Sequence, residues 1–173
     1  MAKLNKKKIL FIYGFNDNPD SQLVNDLKEN LNQKRYEVIS DYYAQYNPKD
    51  ALIDINNYIK ENKIDVVIGI ELGGWLATLI ENKNVKKILI DPTFNPLVEF
   101  DKEDGFPEYI MNFYKDYIDA LEINNYNFSN VNILLTDNVS NEYEEINSDN
   151  ITYIDSSYTE FSEIIKKFII PLL

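Results

Sequence analysis

The stretch VVIGIELGGWLA (66–77) sets a carboxylate where a nucleophile would be expected. A continuous apolar run leads into Gly69-Ile70-Glu71-Leu72-Gly73 and then into helix-forming residues. Small residues flanking a central side chain let a strained turn lift that side chain above the end of a strand, as the serine is lifted in Gly-x-Ser-x-Gly enzymes. Here the lifted group is Glu71, and it has no imidazole or thiol to work with, because the 173-residue chain contains neither His nor Cys. Proton transfer must therefore use carboxylates, Lys, Tyr or water. Disulfides, thiolate metal sites and Cys nucleophiles are excluded together. Asp17, Asp91 and Asp137 also follow apolar runs, and with Glu71 they form one candidate set of oxygen ligands for a hard cation near the carboxyl ends of strands. Their spacing fits no specific metal motif, and loop-capping, solvated acids account for them equally, so no metal and no other cofactor is expected.

These residues need a scaffold, and 173 residues with 45% hydrophobic content suffice for one core, hence a single domain over 1–173. KILFIY (8–13) is a short apolar run, the pattern of a strand buried on both faces. Asn18 and Pro19 read as the cap and first position of a helix in which Leu23, Val24, Leu27 and Leu31 share a face. YEVIS (36–40) is a second strand, and Asn47 with Pro48 repeats the helix start before the stripe Leu52, Ile55 and Ile59. IDVVIGI (64–70) is the third strand, Gly73 to Glu81 the third helix and KKILID (86–91) the fourth strand. This alternation implies a mostly parallel sheet covered by helices on both faces. From 92 to about 107 come three prolines and several aromatics, then a helical pattern to about 123, together a short lid or cap over 92–123. Strands VNILLT (131–136) and ITYID (151–155) and a helix near 159–169, capped by Ser156 or Ser157, close the chain. Gly73 and Gly74 read as close-packing glycines, and Trp75 and Tyr58 as packing residues. The lid aromatics Phe94, Phe100, Phe106, Tyr109, Phe113 and Tyr114 either line a ligand pocket or partner surface, or pack inward.

Charge narrows the partners. With 17 Lys plus Arg against 29 Asp plus Glu, the net charge of −12 repels nucleic-acid backbones and anionic membranes. The N-terminal MAKLNKKKILFIYGF starts basic and turns apolar, but the apolar run stops at Gly14, which suits a strand better than an export signal. No apolar run reaches membrane-spanning length, so a cytoplasmic protein acting on a small molecule or a protein partner is expected.

The blocks ILFIYGFNDNPDS, VVIGIELGGWLATLI and KKILIDPTFNP resemble, in order, those of the YqiA-type small esterases of the α/β-hydrolase superfamily. Those relatives carry His-Gly-Phe after the first strand, a Gly-Ser-Ser-Leu-Gly-Gly elbow and an Asn-Pro segment closing the next strand. LLTDNVSNEY resembles their acid loop, and in DSSYTEFSEIIKKFI, Tyr158 and Phe161 match the aromatics of a His-x-Phe-x-x-Phe block. The resemblance implies an α/β-hydrolase-like three-layer sandwich. It puts Glu71, Asp137 and Ser156 at the triad positions held by Ser, Asp and His, and the N–H groups of Phe15 and Leu72 at the oxyanion hole. Tyr13, Gly14, Asp17, Asp91 and Phe94 then surround the ligand pocket, with Tyr13 replacing the family's His and Asp91 its Asn.

A carboxylate at a helix N-terminus stays ionised and accepts the donors an ester carbonyl would need. The expectation is therefore a binding protein without serine-hydrolase activity. The alternative is a hydrolase using the Glu71 carboxylate as nucleophile or base, as the Asp-elbow dehalogenases and epoxide hydrolases of the superfamily do, with Asp137 or Asp17 activating water.

Overall fold

The apolar runs become the strands of one parallel sheet. In the computed structural model, residues 6–15, 17–93, 95–101, 107–121, 126, 128–136, 150–155, 157–158 and 160–173 are described. The strands are β1 (Lys7–Ile12), β2 (Tyr36–Ile39), β3 (Val66–Ile70), β4 (Lys86–Ile90), β5 (Val131–Thr136) and β6 (Ile151–Ile154). They lie in the order β2-β1-β3-β4-β5-β6, and every neighbouring pair is parallel. Burial sorts the strands: β3, wholly apolar, and β4, whose Ile88, Leu89 and Ile90 follow two lysines, are almost wholly buried and central, whereas β2 and β6 carry more exposed residues and take the edges.

Alternation along each strand builds two cores. Leu10, Ile12, Val67, Leu89 and Ile133 face α2 (Pro48–Asn62), α3 (Leu72–Thr78) and α5 (Glu108–Asp119), while Ile9, Phe11, Ile68 and Ile88 face α1 (Gln22–Asn30) and the C-terminal helix. The expected three-layer α/β-hydrolase-like sandwich is the fold observed. No helix among the described residues is long and apolar enough to cross a membrane.

Helix starts follow side-chain chemistry. Asn47 caps α2 as expected, its Oδ1 accepting from Lys49 N–H at 3.1 Å. By contrast, α1 begins later than the sequence suggests. Asn18 Oδ1 accepts from Asp20 N–H at 2.9 Å in an Asx turn, and Ser21 is the cap. The excursion after β4 contains a helix that periodicity did not disclose, α4 (Pro96–Asp101). At the C-terminus α6 (Phe161–Ile164) runs through a π-helical stretch, Ile165–Ile169, into α7 (Ile170–Leu172). Its N-cap is Glu160, with no side-chain cap, so Ser157 does not cap it as expected; the Ser157 N–H donates to Asp155 Oδ1 at 2.8 Å, and Ser156 lies outside the described residues.

Candidate functional site

Neighbouring strands β1 and β3 send their helices to opposite faces, α1 to one and α3 to the other. The chain therefore parts at their carboxyl ends, and such a switch point is where open α/β sheets bind ligands. Tyr13 and Gly14 leave β1 on one side of the crevice, and Glu71 leaves β3 on the other.

Glu71 sits at the apex of a strained turn, with φ 50° and ψ −119°. That conformation is costly for a side-chain-bearing residue and persists only where its surroundings fix it. Here its N–H donates to the Ile90 carbonyl at 3.1 Å, and its own carbonyl accepts from Thr93 N–H at 3.0 Å and Trp75 N–H at 3.1 Å. The elbow is thus bolted to the exit of β4. Three glycines let it fit. A Cβ on Gly69 would meet the Gly73 carbonyl oxygen at 2.6 Å, one on Gly74 would meet Pro92 Cβ at 2.6 Å, and one on Gly73 would strike the carbonyls of Ile12 and Tyr13. Gly73 and Gly74 are packing residues, and Trp75 and Tyr114 are wholly buried with ring centroids 5.8 Å apart.

The Glu71 side chain is solvent-exposed, and its carboxylate lies against Gly14: a methyl on that glycine would collide with Glu71 Oε2. The turn after β1 closes through an Asp17 N–H to Gly14 carbonyl bond at 3.3 Å. Phe15 stands edge-on to Tyr46 at 5.7 Å, and Leu72 is buried behind the elbow. The Tyr13 ring belongs to the core facing α1 and does not line the crevice. Its hydroxyl has no hydrogen-bond partner among the described residues, and burial pushes it up to about 12, eased only partly by the nearby Tyr43 backbone.

Asp91, also at positive φ (41°), turns its carboxylate to the end of β5. One oxygen accepts from Thr136 N–H at 2.7 Å and the other from Thr136 Oγ at 2.8 Å. Burial raises its pKa and these bonds oppose the rise. Asp17 Oδ1 accepts from Asn18 N–H at 2.9 Å. No group of three or more candidate ligands that could hold a metal ion occurs among the described residues. Phe94, Asp137 and Ser156 lie outside the described residues.

One positioning group escaped the sequence reading. Tyr43 donates its hydroxyl to the Tyr13 carbonyl at 2.6 Å, and its ring packs on Tyr13 at 4.8 Å. Burial raises the Tyr43 hydroxyl well above its usual range, so it remains a donor. Nothing local marks it; only its place after β2, beside the exit of β1, could have pointed there.

The family model of the Uncharacterised protein family (UPF0227) matches residues 8–117. No curated protein matches by sequence. Among solved structures, Est1E from Butyrivibrio proteoclasticus superposes with a TM-score of 0.69 at 15% identity, covering 96% of this chain and 88% of that one. Est1E with ferulic acid bound gives 0.70 at 14% identity, covering 96% and 89%. An esterase, EaEST, from Exiguobacterium antarcticum gives 0.51 at 16% identity, covering 86% and 82%.

Proposed function

This chain belongs to the Uncharacterised protein family (UPF0227), an esterase-like α/β-hydrolase family, and we propose that in this member the site at the β1–β3 switch point binds rather than hydrolyses. One observation carries the reading: the Glu71 carboxylate stands at the elbow apex and lies against Gly14, between the two segments that would bracket a reacting ester carbonyl.

The electrostatics are simple. Ester cleavage by a serine mechanism gathers negative charge on the carbonyl oxygen. A fixed carboxylate about 4 Å from that oxygen opposes it by roughly 4 kcal/mol at an effective dielectric of about 20, which is about a thousandfold in rate. The chain also lacks any His to accept the nucleophile's proton. The same carboxylate disfavours anionic ligands, so the ligand is a neutral or cationic small molecule, or a protein segment of that character, held under the cap formed by 92–123.

Purified protein incubated with short-chain nitrophenyl esters should give no turnover above buffer. Turnover proportional to protein, with the acyl group carried on Glu71 as a mixed anhydride after nitrophenolate leaves and trapped by hydroxylamine as a hydroxamate seen by mass spectrometry, would establish the carboxylate-nucleophile mechanism instead. Glu71→Ser alone should stay inactive for want of a base, whereas Glu71→Ser with Ser156→His should gain ester cleavage through Asp137. Equal activity of the single and double variants would show that the triad positions are misassigned.

A further inference from the structure

Helices α4 and α5 leave a groove of about 280 Å³ lined by Leu97, Val98, Glu108, Met111, Asn112 and Lys115. Its α5 wall is a single stripe, because residues 108, 111, 112 and 115 recur at helical spacing. We propose that this stripe is the contact surface for a second copy of the chain, two α5 helices packing antiparallel about a two-fold axis near Met111 and Asn112.

The charges select that occupant. Glu108 and Lys115 both line the groove two turns apart, about 10.5 Å along the axis at 1.5 Å per residue. Antiparallel pairing sets Glu108 against the partner's Lys115 and, by the symmetry, Lys115 against the partner's Glu108. The surface is complementary to itself in that one orientation; parallel pairing would oppose like charges. Among the described residues Lys115 pairs with Asp119 at 3.3 Å, both about two-thirds exposed, a contact weak enough to exchange. Between the charged ends, Leu97 and Met111 supply apolar surface, and Val98 is 37% exposed. Further round the same helix, Tyr109 and Phe113 remain 62% and 47% exposed, their rings edge-on with centroids 6.4 Å apart. The net charge of −12 opposes association at long range, but at physiological salt this repulsion is screened beyond about 8 Å, and the stripe acts within that distance.

Sedimentation equilibrium of the full chain, from micromolar to sub-millimolar concentration at physiological salt, should show a monomer–dimer equilibrium. Glu108→Lys and Lys115→Glu each place like charges at both ends of the seam and should raise Kd by at least about tenfold. An equimolar mixture of these two variants should form a heterodimer of near wild-type affinity, because each supplies the charge the other lacks. The double variant Glu108→Lys/Lys115→Glu should likewise recover its homodimer. Both side chains are exposed, so folding is preserved. A wild-type chain that stays monomeric throughout, or a mixture no more associated than its components, overturns the proposal. Either result leaves the elbow reading untouched, since no ester or ligand enters the measurement.

Discussion

Two glycines beside the same elbow should lose stability to alanine to different degrees. The methyl of Gly73→Ala would strike the backbone carbonyls of Ile12 and Tyr13, so α3 and β1 must separate. Overpacking of that kind costs roughly 1–3 kcal/mol or more, visible as a lower denaturant midpoint. The nearest neighbours of the methyl in Gly14→Ala all belong to the Glu71 side chain and none to the backbone, so this variant should cost less than Gly73→Ala. Comparable destabilisation by both variants would mean that something stiffer than a carboxylate faces Gly14. At this scale the sequence disclosed the elbow, because the strand, the small residues and Glu71 are contiguous. It did not disclose that Asp91 is spoken for by Thr136 or that the Tyr13 carbonyl is held by Tyr43, since those partners lie 45 and 30 residues away. Spacing along the chain identifies which groups can be lifted into a site; it carries no information about which neighbours then occupy them.

Elements were legible where hydrophobic runs were long, and their ends were legible only where the capping side chain had no competing turn. Asn47-Pro48 and Asn18-Pro19 are the same dipeptide with different outcomes, because Asn47 Oδ1 accepts from the first turn of α2 while Asn18 Oδ1 closes a turn ahead of Ser21. Asn47→Ala should therefore destabilise the protein by about 1 kcal/mol, the usual cost of a lost cap, and Asn18→Ala by clearly less. Urea denaturation of the two variants side by side checks this, and equal losses would remove the distinction between cap and turn. Helix α5 is tied down by side-chain hydrogen bonding as well. Tyr114 of α5 is buried against Trp75 of α3, and its hydroxyl donates to the Gln45 carbonyl at 2.6 Å. Loop 41–47 thus receives a tyrosine hydroxyl from α5 and, through Tyr43, extends one to β1. Helix α5 and the glycine loop beside Glu71 are connected through a segment to which the sequence alone assigned no role.

At the scale of the molecule, alternating strands and helices announced a parallel sheet, but the strand order, and with it the crevice between β1 and β3, follows from how successive crossovers pack and not from periodicity. That parallel order also sorts the charges. The described segments leaving the carboxyl ends after β1, β2 and β3 carry Asp17, Asp20, Asp41 and Glu71 with no Lys or Arg before α1, α2 and α3, a sign that suits the helix N-termini there. Lys7, Lys8, Arg35, Lys86 and Lys87 gather at the amino ends. Lys87 differs from the others in being wholly buried, and desolvation lowers its ammonium from the ordinary 10.5 to about 8. Because its folded pKa lies below its unfolded one, the stability it contributes is fully present above 10.5 and is lost as pH falls through about 8. Tyr13 runs the other way in a higher range, its contribution being present below 10 and lost as pH climbs through about 12. Between 8 and 10.5 the buried amine should therefore make the native state gain on the unfolded one as pH rises, and Lys87→Met should remove that gain. Rising negative charge elsewhere acts on both proteins alike, so the difference between their urea-unfolding free energies across the interval isolates the buried amine. Parallel profiles would mean that Lys87 keeps its ordinary affinity for protons inside the sheet.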